Sequence, residues 1–325
     1  MRMYDVITIG AGLRDVFLVS DAFVALKSKK FSTGVGECLA LGTKIELDDI
    51  VLTTGGGASN AAATFGSLGF KTATIAKIGD DSPGRDVLED LKRFGVSTRL
   101  VKKVKGGETG YSTLLTMKDG ERTVLVYRGV SAKITATDID MKALGRTKWI
   151  YLTSLGGNMA LSARIIRAAH KAKVKVMWNP GSRELKMGMK KMKSLLPMID
   201  ILNMNKEEAE MLTGEKDIAD ACHKMHADGT IRLITNGTAG SYAYRDGWII
   251  HAGTTGAKAI SRTGAGDAFG SGFLAGVIKT GDLKEALKLG TINAESVIQE
   301  HGAKNGVLTR WPSAARRSKI KVKQL

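Results

Sequence analysis

What most limits the fold of this chain is an alternation. Strand-like apolar runs at Tyr4–Ile9, Thr72–Ile78, Trp149–Thr153, Val174–Trp178, Ile199–Met204 and Ile231–Thr235 are separated by helix-period segments, among them Pro83–Phe94, Asn158–Lys171 and Asp217–Asp228. Short continuous runs of this kind suit strands covered on both faces, and a helix between successive strands lets them pair in parallel. The pattern predicts a doubly wound α/β fold, a mostly parallel sheet with helices on both faces. Ligands of such sheets sit beyond the carboxyl ends of the strands, so function is sought in the loops that follow them. A length of 325 residues fits one such domain, 1–325, better than two equal ones. Extended segments at about 15–20, 37–54 and 108–128 interrupt the series. The last holds two runs, Gly110–Met117 and Arg122–Arg128, around a Lys118-Asp119-Gly120 turn. These segments predict a small antiparallel sheet apart from the main one.

The loop with the most to say is Ser261–Gly276, SRTGAGDAFGSGFLAG. Thr263-Gly264-Ala265-Gly266 reads as a turn, and apolar residues then recur at helical spacing through Phe269, Phe273, Leu274 and Val277. A helix N-terminus exposes unpaired N–H groups and the positive end of the dipole, and glycine lets an anion come close. Asp267 falls in the first turn. There it is either a helix-start carboxylate that the dipole favours or a general base beside a phosphate cradle. Gly55-Gly56-Gly57 opens another helix, to about Leu68, with Asn60 inside it. Asn205 with Glu208 three residues on is a capping box. Thr235-Asn236-Gly237-Thr238-Ala239-Gly240 ends a strand, with a hairpin turn as the structural alternative to a ligand loop. Gly10-Ala11-Gly12 ends the first strand, but a dinucleotide fingerprint needs glycine at 15, where Asp15 stands, and Val16–Val19 continues extended.

Taken together these motifs resemble the ribokinase-like (PfkB) carbohydrate kinase family. Its signatures D-T-x-G-A-G-D, G-G-x-x-x-N, N-x-x-E and T-x-G-x-x-G are matched, in the family's order, by Gly264-Ala265-Gly266-Asp267, by Gly55, Gly56 and Asn60, by Asn205 and Glu208, and by Thr235, Gly237 and Gly240. The likeness spans Tyr4 to Leu308. It implies ATP-dependent phosphorylation of a hydroxyl of a sugar or sugar-like molecule. Asp267 is then the base, and the N–H groups of Gly264, Ala265 and Gly266 hold the phosphoryl. Asp15, Gly55, Gly56 and Asn60 hold the acceptor. Asn205 and Glu208 organise Mg²⁺, Glu208 through water. Thr235, Gly237 and Gly240 face the nucleotide, and Asn293 with the segment 302–306 lines the adenine pocket and the monovalent-cation loop. The small sheet becomes a lid over the sugar and a homodimer surface.

Two departures matter. Ser261 and Arg262 replace the family's opening Asp-Thr, which removes a carboxylate and adds a guanidinium where a potassium ion often sits, so the expectation is a loop that does not depend on potassium. Gly57 stands where ribokinases usually carry Lys, and Ser154 where a ribose-contacting Glu is aligned, which lowers ribose as the acceptor. A fructose, a keto-deoxy sugar acid, a sugar phosphate or a nucleoside stays open. A non-catalytic sugar-binding regulator is the reading from another class, and the intact Asp267 argues against it.

Composition narrows the partners. The net charge of +17 comes from 49 Lys+Arg against 32 Asp+Glu. The positive charge is dispersed, with no interleaved aromatic series, so it reads as solvated surface that attracts anionic substrates and not as a nucleic-acid site. No run of 18 apolar residues occurs, the first residues enter a strand with no signal-peptide layout, and Cys38 and Cys222 form no framework. A cytoplasmic protein is expected. The histidines form no metal pattern, and the basic segment 316–325 reads as a loose tail.

Overall fold

The computed structural model describes residues 3–31, 33–117 and 121–325; the Lys118-Asp119-Gly120 turn lies outside them. The main sheet is nine-stranded among the described residues. Its order is Val322–Gln324, Trp248–Ala252, Ser241–Arg245, Ile231–Thr235, Ile201–Asn205, Lys175–Trp178, Thr147–Leu152, Tyr4–Ile9 and Thr72–Ile75. Pairing is parallel from Ile231–Thr235 to Thr72–Ile75 and antiparallel among the remaining strands. Tyr4–Ile9 lies between Thr72–Ile75 and Thr147–Leu152, so the chain winds away from it in both directions. Strand order reverses at that place, and the loops leaving its two sides part to form a crevice.

Alternation along the strands supplies two cores. Ile7, Ile9, Ile150 and Leu152 face one layer, built on Leu161, Ile165, Ile166, Leu212 and Cys222 of the helices Met159–Lys171, Lys206–Thr213 and Ile218–Lys224. Val6, Trp149 and Tyr151 face the other, built on Phe65, Phe269, Phe273 and Leu287 of the helices Gly57–Ser67, Ala265–Thr280 and Leu283–Val297. Apolar residues on both faces of each strand are what made the runs continuous in the sequence.

The small sheet has the order Arg122–Tyr127, Tyr111–Thr116, Leu13–Val19, Asp49–Gly55. Its outer pairs are antiparallel, but Leu13–Val19 and Tyr111–Thr116 run parallel, so the sheet is mixed where an antiparallel one was expected. The reason is connectivity: a long excursion through the helices Gly57–Ser67 and Ser82–Arg93 brings the chain back in the same direction. The expected 37–54 run is strand only at its ends, in Val35–Cys38 and Asp49–Gly55. Phe17 and Leu114 are buried beneath the sheet, while Ile50, Leu52, Val124, Leu125 and Val126 are exposed.

The basic terminus is corrected. Residues 316–325 are no loose tail: Ala314–Ser318 is helical, Ile320 is buried, and Val322–Gln324 pairs antiparallel with Trp248–Ala252 as the sheet's edge. Ile320 and Val322 alternate with lysines, and lysine on an edge strand is compatible with pairing on one side while it discourages pairing on the other.

Candidate active site

The helix Ala265–Thr280 begins without a side-chain cap, on Gly264 at φ 81°. That left-handed conformation favours glycine, and a Cβ there would collide with Ala303. The N–H groups of Gly266 and Asp267 therefore have no intrahelical partner. Nothing lies within 4 Å of where a Cβ on Gly266 would stand. The result is an open, donor-lined concavity that fits a phosphoryl oxygen. Deeper in the helix, Gly270 leaves room for the Tyr151 hydroxyl and the Asn203 amide, which a Cβ would strike.

Asn60 Nδ2 donates to Asp267 Oδ2 at 2.8 Å and joins the two glycine loops. Burial raises the Asp267 carboxyl above its ordinary value, and the Asn60 hydrogen bond opposes the rise only in part. The residue as a whole is half-buried and lines the cleft. Asn60 Oδ1 is buried with no partner, an acceptor left for a ligand hydroxyl.

Asp15 sits in Leu13–Val19, opposite Thr53 and Ser112, and is buried. Its carboxyl is pushed up to about 6 by burial and by the nearby Asp267, against the Ser112 hydroxyl and the Lys304 ammonium. Gly55 is required beside it, because a Cβ would collide with the Asp15 carboxylate. Gly56, at φ 95°, caps the helix Gly57–Ser67 with backbone alone.

The crevice at the strand reversal is a cleft of about 250 Å³ lined by Gly10, Gly57, Thr153, Asn179, Glu208 and Asp267 among others. Along the carboxyl edge of the sheet, Gly10, Thr153, Asn179, Asn205 and Thr235 succeed one another from strand to strand. Asn205 and Glu208 form the expected box: Asn205 Oδ1 accepts from the Glu208 N–H at 2.8 Å, and Glu208 accepts from the Asn205 N–H at 3.0 Å. Glu208 also reaches the cleft, so capping and lining coexist. Its carboxyl is raised by burial, against the Asn205 hydrogen bond. Thr235 pairs with Asn205, and Gly237 and Gly240, both at positive φ, form the turn into Ser241–Arg245. A Cβ on Gly240 would collide with the Ala252 carbonyl, so the hairpin needs this glycine irrespective of any nucleotide.

Asn293 is a correction. It is fully buried; its amide donates to Thr64 Oγ1 and the Ala268 carbonyl, and its oxygen accepts from the Leu308 N–H. With those bonds made, it ties two helices to a loop and has nothing left for an adenine. A polar residue on the inner face of an amphipathic helix looks the same in a sequence whether it meets a ligand or a backbone. Sequence reasoning did not single out Arg128, Thr153 and Asn179, which also line the cleft. Thr153 and Asn179 directly follow the ends of strands, a placement that could have flagged them. Among the described residues no group of three or more His, Cys, Asp and Glu is arranged to hold a metal. Glu208 and Asp267 are the carboxylates on the cleft; Glu208, a hard oxygen donor with room for water beside it, suits Mg²⁺, which keeps most of its hydration shell.

The model of the pfkB family carbohydrate kinases matches residues 27–310. The chain belongs to the pfkB family of carbohydrate kinases. This pfkB kinase is 32% identical over 247 residues to an uncharacterised sugar kinase of Archaeoglobus fulgidus, covering 74% of this chain and 96% of the relative. It is 32% identical over 236 residues to an ATP-dependent ribose-1-phosphate kinase of Halopiger xanaduensis, covering 72% and 76%. Among solved structures it is similar to an Arabidopsis thaliana ribokinase complexed with ribose and ATP, with a TM-score of 0.76 at 22% identity over 97% of this chain and 98% of that one. The likeness in structure bears on the fold, and the sequence match carries the family. No helix among the described residues is long and apolar enough to cross a membrane.

Proposed function

We propose that this kinase transfers the γ-phosphoryl group of ATP to a hydroxyl of a small anionic sugar, with Asp267 as general base. The observation that carries the reading is Asn60 holding Asp267 at the mouth of the uncapped helix. It sets a proton acceptor and a row of N–H donors within reach of one substrate hydroxyl. Asp267 takes the hydroxyl proton while that oxygen bonds to the γ-phosphorus. The bond from phosphorus to the β–γ bridging oxygen breaks, and ADP leaves with that electron pair. Negative charge on the phosphoryl oxygens is met by the N–H groups of Gly264 and Gly266, with Ala265 the weaker donor because its N–H already makes a long 3.4 Å bond to the Arg262 carbonyl. Asp15 and Asn60 offer acceptor atoms to the sugar's other hydroxyls, with Gly55 and Gly56 letting the backbone approach. Glu208, with Asn205 fixing its helix turn, would hold Mg²⁺ through water; the ion supplies charge neutralisation on the β- and γ-phosphates. Thr235, Gly237 and Gly240 border the nucleotide on the far side.

Arg128 on the cleft supports an anionic acceptor and would meet a carboxylate or phosphate of the sugar in bidentate fashion. The ribose-1-phosphate kinase relative points the same way. Ser154 is occupied: its hydroxyl donates to the fully buried Glu184 at 2.9 Å. The lid's exposed apolar strands support a homodimer, and the two unpaired cysteines support a reducing cytoplasm. A coupled ADP-release screen over neutral sugars, sugar phosphates, sugar acids and nucleosides tests the reading. Turnover confined to anionic sugars is expected. Binding without ADP release would favour a sugar-binding regulator.

A further inference from the structure

Lys304 has no part in the proposed chemistry, yet it is only 1% exposed. Its ammonium pairs with Asp90 Oδ2 at 2.6 Å, donates to Ser59 Oγ at 2.9 Å, and donates to the Thr54 hydroxyl. Each of its N–H donors thus has an oxygen partner. Asp90 is held in turn by the Thr54 hydroxyl at 2.5 Å and by Arg93 Nη2 at 2.7 Å. A buried ion pair adds little net stability over a well-packed apolar pair, because desolvation offsets the attraction. Stability alone therefore gives no reason for this lysine.

Its neighbours do. Thr54 immediately precedes Gly55 and Gly56, and Ser59 immediately precedes Asn60, which holds Asp267. Ala303, the residue before Lys304, packs against Gly264 at the head of the uncapped helix so closely that no Cβ fits there. One buried side chain thus reaches from the segment behind the phosphoryl turn to both halves of the acceptor loop.

We propose that Lys304 is a positioning residue that ties the acceptor loop 54–60 to the turn 262–267, so that the acceptor hydroxyl and the Asp267 carboxylate stay in register. The inference rests on the reading that Asp15, Gly55, Gly56 and Asn60 hold the acceptor. Lys304→Met removes the tie while keeping an unbranched chain. It should raise the acceptor KM about tenfold or more and lower kcat, the scale of a misplacement of the order of 1 Å, with the ATP KM within about twofold of wild type. Because Asp90 then loses its buried cation and keeps only the Thr54 hydroxyl and the exposed Arg93, this variant is also less stable. The double variant Lys304→Met with Asp90→Leu removes both charges and should recover the wild-type melting temperature but not the acceptor KM. In both variants, without any substrate, amide hydrogen exchange at 54–60 and 262–267 should quicken together while exchange at 231–245 stays unchanged.

A double variant with the wild-type acceptor KM, equal rises in both KM values, a double variant that does not fold, or unchanged exchange in the two segments would each overturn the proposal. Should wild type turn over no acceptor, the functional reading fails by itself, and the exchange measurement still decides the role of Lys304.

Discussion

Asp267→Asn separates catalysis from folding. Asparagine has nearly the volume of aspartate, and its Oδ1 can accept the same hydrogen bond that Asn60 gives now at 2.8 Å. The variant should therefore keep the loop geometry, but it lacks the basic oxygen. Loss of a positioned general base costs roughly 10²–10⁴ in kcat, which is about 2.7–5.4 kcal/mol at 1.36 kcal/mol per decade. Stability should move the other way. A carboxylate in the first turn of a helix gains about 0.3–1 kcal/mol from the dipole, yet burial is the larger influence here and the net shift of the carboxyl is upward. A group whose folded pKa lies above its unfolded value destabilises the fold as pH rises between the two. A neutral side chain removes that cost, so the variant should melt at the same or a higher temperature. The assay is single-turnover ADP release, with ATP affinity measured separately by calorimetry and melting followed at neutral pH. A kcat within about fivefold of wild type would remove Asp267 from the role of base. A fall in melting temperature that accounts for the lost activity would make it a structural residue instead.

Asp15→Asn should raise the acceptor KM and leave the ATP KM unchanged; equal damage to both would make Asp15 structural. Because the Asp15 carboxyl lies at about 6 against an ordinary 3.8, wild type should lose stability as pH rises from about 4 to 6, by on the order of 3 kcal/mol. The Asn variant should lack that step in a series of denaturant melts. Glu208→Gln keeps the capping box, since glutamine serves equally at that position, so its helix should persist while the Mg²⁺ requirement for half-maximal rate rises; an identical titration would leave Glu208 only its cap. Sedimentation at micromolar concentration should give a dimer, because Ile50, Leu52, Val124 and Val126 otherwise leave an apolar patch in water; a monomer would count against the lid interface. Activity should change less than about twofold between potassium-free buffer and KCl at matched ionic strength, since Ser261 supplies no carboxylate and the Arg262 side chain points outward, 72% exposed and near Glu121. Saturable activation by K⁺ over Na⁺ would refute that.

The sequence by itself determined the layered sheet, because continuous apolar runs and helical periods are local properties: Ile231–Thr235 came out with the predicted bounds. It also determined the two glycine loops, since a left-handed Gly264 and an uncapped helix leave a mark in the order of residues. The mixed pairing of Leu13–Val19 with Tyr111–Thr116 was out of its reach, because direction of pairing depends on the path of the chain between strands. Two apolar side chains alternating with lysines carry no sign of whether a neighbouring strand stands ready to pair, so the strand Val322–Gln324 read as tail. Polar residues were the hardest. Asn293 and Lys304 both lie in segments that looked like ligand contacts, and both are buried in bonds to distant parts of the protein. What a buried donor meets is fixed by residues hundreds of positions away, and only the tertiary structure brings Thr54, Ser59 and Asp90 around one ammonium.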